Sequence, residues 1–189
     1  MRNAITPMTF LSLVNKKLAI EVVLAQLFVV LAIVYFLFLR KKFVRIGEFF
    51  GKYGLVFAFL VSLGAIAGSL YYSQIAGFEP CELCWFQRIC MYPLVVLLGM
   101  ALIKKDRKIT DYILALSGIG FVISLYHNYI YYYSGGLNLT CQLGGAAVSC
   151  VKRYVFELGY VTIPMMALTA FALIIIFMIF CKLYERSHQ

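Results

Sequence analysis

Five separate stretches of this chain are each about 20 residues long and almost free of charged side chains. An α-helix rises 1.5 Å per residue, so about 20 apolar residues cover the roughly 30 Å hydrocarbon core of a bilayer. The backbone inside a bilayer must satisfy its own hydrogen bonds, which favours a helix for each stretch. The sequence therefore predicts an all-α membrane protein with five spans, Leu18–Leu39, Gly54–Ala76, Cys84–Ile103, Tyr112–Tyr133 and Leu158–Cys181.

The composition excludes a soluble domain and a disordered chain. Of the 189 residues, 63% are hydrophobic and 13% are charged, whereas a soluble domain is about 45–50% apolar and about 25% charged. Disorder requires a shortage of apolar residues, and here they are abundant. The net charge of +9 could indicate a nucleic-acid partner. The Lys and Arg residues form short clusters between the apolar runs, however, which is typical of loops beside membrane lipid and argues against nucleic acid.

The distribution of basic residues predicts the orientation of the spans. One side of the membrane receives eleven of the seventeen basic residues, namely Arg40, Lys41, Lys42, Arg45, Lys52, Lys104, Lys105, Arg107, Lys108, Lys182 and Arg186. The other side receives Arg2, Lys16, Lys17, Arg88, Lys152 and Arg153. The richer side is predicted to be cytoplasmic. If the first run lies along the membrane interface instead, the other four spans keep this orientation.

Four of the six cysteines lie on the predicted outer side, as two pairs in two outer segments. These are Cys81 with Cys84 and Cys141 with Cys150, while Cys90 and Cys181 lie within or at the end of spans. Disulfides persist outside the cytoplasm and are rare within it. The outer cysteines therefore indicate either sulfur redox chemistry or structural disulfides. The remaining two are predicted to be small buried hydrophobic residues.

The first pair forms a CxxC motif at the start of the third span. Pro80 favours a helix start at this point, so Cys81 and Cys84 are expected in or near the first turn. The helix dipole there lowers the pKa of a thiol. Arg88 follows on the same helix face, where a guanidinium needs an anionic or strongly accepting partner such as a thiolate or a bound polar group. The alternative is that Arg88 only extends to the lipid head groups.

The second pair lies in a long outer segment with two glycine pairs, at residues 135–136 and 144–145. Glycine pairs favour a mobile loop, which suits a disulfide carrier because one sulfur must reach another in line. After the loop, Val148, Val151, Val155 and Leu158 recur at helical spacing. This pattern predicts either a short interfacial helix or a simple lead-in to the last span.

His127 is expected at a depth in the membrane similar to that of Arg88. Two interpretations of this histidine are open. It is either a structural residue with its hydrogen bonds satisfied, or a hydrogen-bond partner or proton donor for a cofactor between spans.

These motifs together resemble the DsbB/BdbC family of disulfide bond formation proteins, which are bacterial membrane thiol:quinone oxidoreductases. The resemblance covers roughly residues 54–181 and rests on Cys81-Glu-Leu-Cys84-Trp-Phe-Gln-Arg88, Met91-Tyr92-Pro93, Tyr126-His127, the second cysteine pair and Leu158-Gly-Tyr-Val-Thr-Ile-Pro164. It implies a four-helix transmembrane bundle as the core, with one additional N-terminal transmembrane helix. Residues 1–52 would hold the tail, the extra helix and a basic loop, and residues 53–189 the family domain.

The resemblance also implies an electron relay with Cys81, Cys84, Cys141 and Cys150 as its catalytic residues. A thioredoxin-like oxidase of the DsbA type would be reoxidised at Cys141, Cys150 would exchange with Cys81, and Cys84 would pass two electrons to a membrane quinone. The cofactor is then a ubiquinone or a menaquinone, and no metal is expected. Its binding residues would be Arg88, His127 and Gln87. The implied location is the bacterial cytoplasmic (inner) membrane, with the redox loops on the periplasmic or extracellular side.

Two alternatives are kept. A vitamin K epoxide reductase-like protein also couples two outer cysteine pairs to a quinone, but in that family the loop pair precedes the CxxC, whereas here the CxxC comes first. A non-enzymatic membrane scaffold would use the four outer cysteines for structural disulfides or for a zinc ion. A zinc site would leave Arg88 unexplained and would place a second cation beside it.

Overall fold

A computed structural model describes residues 8–39, 44–106, 108–133, 150 and 154–188 of the chain. Five helices of this part are long and apolar enough to cross a membrane, so the protein is a multi-pass membrane protein and the all-α prediction is confirmed. They are α1 (Met8–Val34, continued by a π-helical turn Tyr35–Leu39), α2 (Val44–Leu70, continued by a π-helical turn Tyr71–Ile75), α3 (Glu82–Lys104), α4 (Thr110–Tyr133) and α5 (Ile163–Ser187).

Helices α2 to α5 form the predicted four-helix core. Helices consecutive in sequence pack against each other, and α5 also packs against α2. The contacts α2–α3, α3–α4, α4–α5 and α5–α2 therefore close a ring. The interior is apolar, and its most deeply buried side chains include Leu94, Leu98, Ile113, Phe171, Ile174 and Met178. Helix α1 lies outside this ring against α5, in agreement with the prediction of one additional helix. The predicted division after residue 52 falls within α2.

The C-terminal half of helix α1 runs alongside α5 and in the same direction. The Gln26 side chain donates from Nε2 to Thr169 Oγ1 at 3.2 Å, and further along the two helices the rings of Tyr35 and Phe180 lie 5.6 Å apart between centroids. A helix lying along the membrane interface would not follow another span in this way. The prediction that the first run crosses the membrane is therefore confirmed. The N-terminal half of α1 lies at the same end of the bundle as Cys81.

The last helix begins five residues later than predicted, at Ile163 and not at Leu158. Leu158 and Gly159 both have positive φ angles, 53° and 80°, in a turn closed by an antiparallel bridge between Glu157 and Val161. Thr162 caps the helix, because its Oγ1 accepts from the backbone N–H of Met165 at 3.3 Å. Hydropathy placed the boundary wrongly because the turn residues are themselves apolar.

The segment before α5 was predicted to be either an interfacial helix or a lead-in to the last span. Residues 154–162 are not helical, so the described part of the stretch is a lead-in to the last span and not an interfacial helix. Val148 and Val151, both glycine pairs and Cys141 lie outside the described residues.

Helices α2 and α5 approach closely because glycines remove side chains at their contact. A Cβ placed on Gly54 would lie 2.6 Å from Cys181 Sγ and 2.8 Å from the carbonyl oxygen of Phe177. The backbone oxygen cannot move away cheaply, so only glycine fits at this position without displacing a helix. The Cys181 thiol is fully buried beside this contact and donates to the carbonyl of Gly51 at 3.4 Å.

We predict that Gly54→Ala destabilises the bundle by about 1–3 kcal/mol, the usual cost of overpacking a close-packed interior. Gly64→Ala in the same helix is the matched control, because a Cβ at Gly64 meets no atom within 4 Å. Unfolding in detergent, followed by circular dichroism, measures both. Equal stability of the two variants would contradict the close approach of α2 and α5.

Candidate functional site

The two cysteines of the CxxC motif lie at the N-terminal end of α3. Cys81 is the N-cap residue, and Cys84 lies in the first turn. Both are thiols and not disulfide-bonded, and their sulfurs share a hydrogen bond at 3.1 Å. Pro80 precedes the cap and so lies two positions before the first helical residue, Glu82. The helix starts where the CxxC motif predicted, which directs its unpaired backbone N–H groups towards the two sulfurs.

The imidazole of His127 reaches this thiol pair from α4. Its Nε2 lies 3.7 Å from Cys81 Sγ and 3.3 Å from the carbonyl oxygen of Cys150. On the other side of the ring, Nδ1 lies 3.2 Å from the amide Nε2 of Gln87. With the amide nitrogen of Gln87 as donor, Nδ1 accepts and the ring proton sits on Nε2, facing the Cys81 sulfur. The histidine is 1% exposed, so these partners satisfy it without water.

The environment of Cys81 favours its thiolate. This residue lies just outside the membrane-spanning part of α3, and its pKa lies well below its ordinary value of 9.0. The hydrogen bond shared with Cys84 is the largest cause and the contact with His127 adds to it, whereas burial acts in the opposite direction. Because the thiolate is the nucleophile in thiol–disulfide exchange, Cys81 is the more reactive sulfur of the pair at neutral pH.

Cys150 is buried against Cys81, and it is disulfide-bonded. One cysteine of the second pair therefore lies beside the first pair. Cys141, the other predicted site cysteine, lies outside the described residues. A disulfide-bonded Cys150 has no thiolate free to bind zinc. Among the described residues, Cys81, Cys84 and His127 bring three donor atoms within 4.8 Å of one another, which is the geometry of an incomplete metal site.

Arg88 lies one turn further along α3 and points into the bundle. It is 7% exposed, and its guanidinium donates from Nε to Ser69 Oγ at 2.8 Å and from Nη2 to the Ser69 carbonyl at 2.9 Å. The carbon of the guanidinium lies 5.2 Å from the centre of the Trp85 ring. The arginine is thus partnered by α2 and does not extend to lipid head groups. Sequence analysis missed Ser69, because a serine in an apolar span carries no signal of its partner.

An interhelical cavity of about 240 Å³ opens beside these residues. One end is polar and is lined by Cys81, Cys84, Gln87, Arg88, His127 and Ser69. The rest is apolar and is lined from three helices, including Leu18 and Val22 of α1, Val61 and Ala65 of α2, and Met166 and Ala170 of α5. A Cβ built on Gly64 or Gly68 of α2 would meet no atom within 4 Å, so this wall leaves open space. The cavity suits a molecule with a flat polar head and an apolar tail.

The comparisons with known proteins agree with this geometry. A family model described as "Disulfide bond formation protein DsbB" matches residues 52–181. The "Disulfide bond formation protein C" of Bacillus subtilis is 44% identical over 125 residues, which are 66% of this chain and 89% of that protein.

Two further relatives carry similar names. The "Probable disulfide formation protein C 1" of Bacillus cereus is 46% identical over 123 residues, 64% of this chain and 85% of that protein. The "SPbeta prophage-derived disulfide bond formation protein B" of Bacillus subtilis is 42% identical over 120 residues, 64% of this chain and 78% of that protein. No solved structure matches the chain.

The low pKa of Cys81 predicts how its charge depends on pH. A lowered pKa keeps the thiolate present as the pH falls from 9 through neutrality, and the thiolate is lost only when the pH passes through the lowered value. We expect the ultraviolet absorbance of the thiolate, measured in protein with the Cys81 and Cys84 thiols reduced, to persist at neutral pH. Cys84→Ala removes the main hydrogen bond to Cys81 and should move the midpoint of the thiolate titration to higher pH. His127→Leu should move this midpoint to higher pH by less. The Cys81→Ser variant gives the baseline, and a midpoint near 9 in the unaltered protein would contradict the assignment.

Proposed function

We propose a reaction for this chain from one established premise: it belongs to the DsbB family of disulfide bond formation proteins and is therefore an oxidoreductase of disulfide bond formation. The proposed activity is that of a membrane thiol:quinone oxidoreductase, which reoxidises a DsbA-type thioredoxin-fold oxidase and passes two electrons to a membrane quinone. One observation supports it best. The Cys81–Cys84 thiol pair packs against a disulfide-bonded cysteine, Cys150, and lines the interhelical cavity.

The first proposed step moves electrons from the partner into the second cysteine pair. Cys150 is disulfide-bonded, and its partner in the proposed relay is Cys141. A thiolate of the reduced partner attacks Cys141, and Cys150 leaves as a thiolate. The second thiol of the partner then attacks the mixed disulfide, so that the partner departs oxidised and Cys141 and Cys150 are both reduced.

The second proposed step moves the electrons to the first pair. Cys150 attacks Cys81 of a Cys81–Cys84 disulfide, and Cys84 leaves. Cys141 then attacks Cys150, which releases Cys81 and restores the Cys141–Cys150 disulfide. A good leaving thiolate speeds this release, and the low pKa of Cys81 makes it one. The Nε2–H of His127 stabilises the charge on Cys81 as it forms, because this nitrogen faces the sulfur. The product state, with reduced Cys81 and Cys84 and a disulfide at Cys150, is the state described above.

The interhelical cavity fits the proposed cofactor. A quinone has a flat ring with two carbonyl oxygens and an apolar tail, and the cavity has a polar end with arginine donors and an apolar remainder with open space at Gly64 and Gly68. Bound there, a quinone would supply an acceptor for two electrons and two protons. Arg88 would donate to an oxygen of the ring while Ser69 holds the guanidinium in place. Gln87 orients His127 and also lines the cavity, so its proposed role is both positioning and binding.

The proposed location follows from the charge distribution. The membrane would be the bacterial cytoplasmic membrane, with the cysteine end on the periplasmic or extracellular side, because the basic residues concentrate at the opposite ends of the core helices. A thioredoxin-fold partner then reaches Cys141 without crossing the membrane.

The direct test of the proposed function is anaerobic mixing of the purified protein with a reduced thioredoxin-fold oxidase and a short-chain quinone. Quinone reduction, followed by ultraviolet absorbance, should depend on all three components. No reduction with either a ubiquinone or a menaquinone would overturn the proposal.

In this assay, Cys→Ser at position 81, 84, 141 or 150 should each abolish turnover, because every one of these sulfurs forms a bond in the relay. The matched controls are Cys90→Ser and Cys181→Ser, since these buried thiols lie outside the site. At matched expression, both control variants should turn over at the rate of the unaltered protein. Loss of turnover in Cys90→Ser at normal expression would count against the assignment.

Arg88→Ala should raise the quinone KM and lower turnover by roughly tenfold to a hundredfold, the effect of losing a charge-assisted hydrogen bond of about 1.5–3 kcal/mol. Arg88→Lys should recover only part, because it keeps the charge but loses the planar fork. Ser69→Ala should have a smaller effect than Arg88→Ala, since the Ser69 carbonyl still accepts one of the two hydrogen bonds. Steady-state kinetics against quinone concentration measure all three, and unchanged KM and turnover in both Arg88 variants would remove this residue from the site.

A further inference from the structure

Besides the exposed charged residues Lys16, Lys17 and Glu21, helix α1 carries two amide side chains, Asn15 and Gln26. An amide in a bilayer is costly unless it is hydrogen-bonded within the protein. Both amides are bonded to the four-helix core. Asn15 Oδ1 accepts from the Tyr72 hydroxyl at 3.0 Å, with both residues buried. Gln26 donates to Thr169 at 3.2 Å and accepts from the Tyr160 hydroxyl at 2.7 Å.

These two contacts fix the rotation of α1 about its own axis. Asn15 and Gln26 are eleven residues apart, which places them within about 20° of each other around the helix and roughly 16 Å apart along it. Leu18 and Val22 follow Asn15 at i+3 and i+7, so they lie on the same face between the two anchors. Both residues line the interhelical cavity. The polar anchors thus hold two apolar side chains against the space beside the thiol pair.

The four-helix core leaves open space in the part of the cavity that Leu18 and Val22 line. Where α1 meets the cavity, α2 presents Gly64 and Gly68, at which a Cβ would meet no atom within 4 Å. The apolar part of the cavity is bounded by side chains of α1 and α5 and by Val61 and Ala65 of α2, whose wall is open at the two glycines. Without Leu18 and Val22 this part would face lipid on the α1 side.

We propose that α1 is a wall of the quinone site, and that Leu18 and Val22 contact the bound quinone. This inference rests on the proposed function and assigns a role to a helix that precedes the family domain. The four-helix core supplies the polar contacts at Arg88 and the cysteines, and α1 supplies apolar contacts that set the affinity for the quinone. The anchors Asn15 and Gln26 are positioning residues for Leu18 and Val22.

The test measures quinone binding without turnover. The chain has a single tryptophan, Trp85, whose ring lies 5.2 Å from the Arg88 guanidinium carbon. A quinone bound near Arg88 should therefore quench its fluorescence. We would titrate the full-length protein in detergent with ubiquinone-1 and with menaquinone-1, under anaerobic conditions and with no partner present.

Val22→Phe should raise the Kd of the better-binding quinone roughly tenfold, because a larger side chain intrudes into the occupied space. Val30→Phe is the matched control, since Val30 lies on the same helix and is 55% exposed on the lipid-facing surface. It should leave the Kd unchanged. Val22→Ala and the double variant Asn15→Leu/Gln26→Leu should also weaken binding, so the inference does not depend on one bulky variant. An unchanged thiolate titration of Cys81 in each variant checks that the cysteine site is intact.

The outcomes separate the two proposals. If the unaltered protein binds a quinone and both Val22 variants bind it equally well, the role of α1 is overturned while the proposed function stands. If Val30→Phe weakens binding as much as Val22→Phe, the effect is a general one on α1 and the inference is also overturned. If neither quinone quenches Trp85 in the unaltered protein, the proposed quinone site itself fails, and the inference fails with it.

Discussion

A polar side chain in the membrane-spanning interior is costly without a hydrogen-bond partner, and this cost organises the cysteine end of the bundle. Arg88 of α3 is held by Ser69 of α2. Asn128 of α4 donates to the carbonyl of Pro164 at the start of α5. Apolar contacts alone would allow helices to slide and rotate in lipid, because lipid tails are as apolar as leucine. The polar pairs fix the register of the helices and hence the positions of the reactive groups.

The same need for hydrogen-bond partners explains why the cysteine thiols differ in reactivity. Cys81 sits at the helix end, where a thiol, an imidazole and unpaired backbone N–H groups all favour its charged form. The imidazole of His127 is itself held by Gln87, six residues after Cys81 on α3. Cys90, by contrast, is buried among apolar side chains that offer no such donors. Position within α3 thus distinguishes the surroundings of Cys81, which favour a thiolate, from the apolar surroundings of Cys90.

The polar contacts of α1 extend this arrangement beyond the four-helix core. The Tyr160 hydroxyl donates to Gln26 of α1, and the Tyr160 carbonyl accepts from the Tyr132 hydroxyl of α4. The lead-in to α5 therefore links α1, α4 and α5 at the cysteine end. This link holds the additional helix beside the interhelical cavity and not merely against lipid, which is why a peripheral helix can contribute to a site in the core.

The sequence by itself determined the number of helices, the start of a helix at the CxxC motif and the depth of Arg88 and His127, because hydropathy and helical spacing are local properties. It could not determine the start of α5 at Ile163, because the preceding turn is as apolar as the helix. Only the tertiary structure decided that Ser69 is the partner of Arg88, that His127 faces Cys81 and that α1 lines the cavity. These are contacts between helices, and the packing of side chains far apart in sequence leaves no periodic signal along the chain.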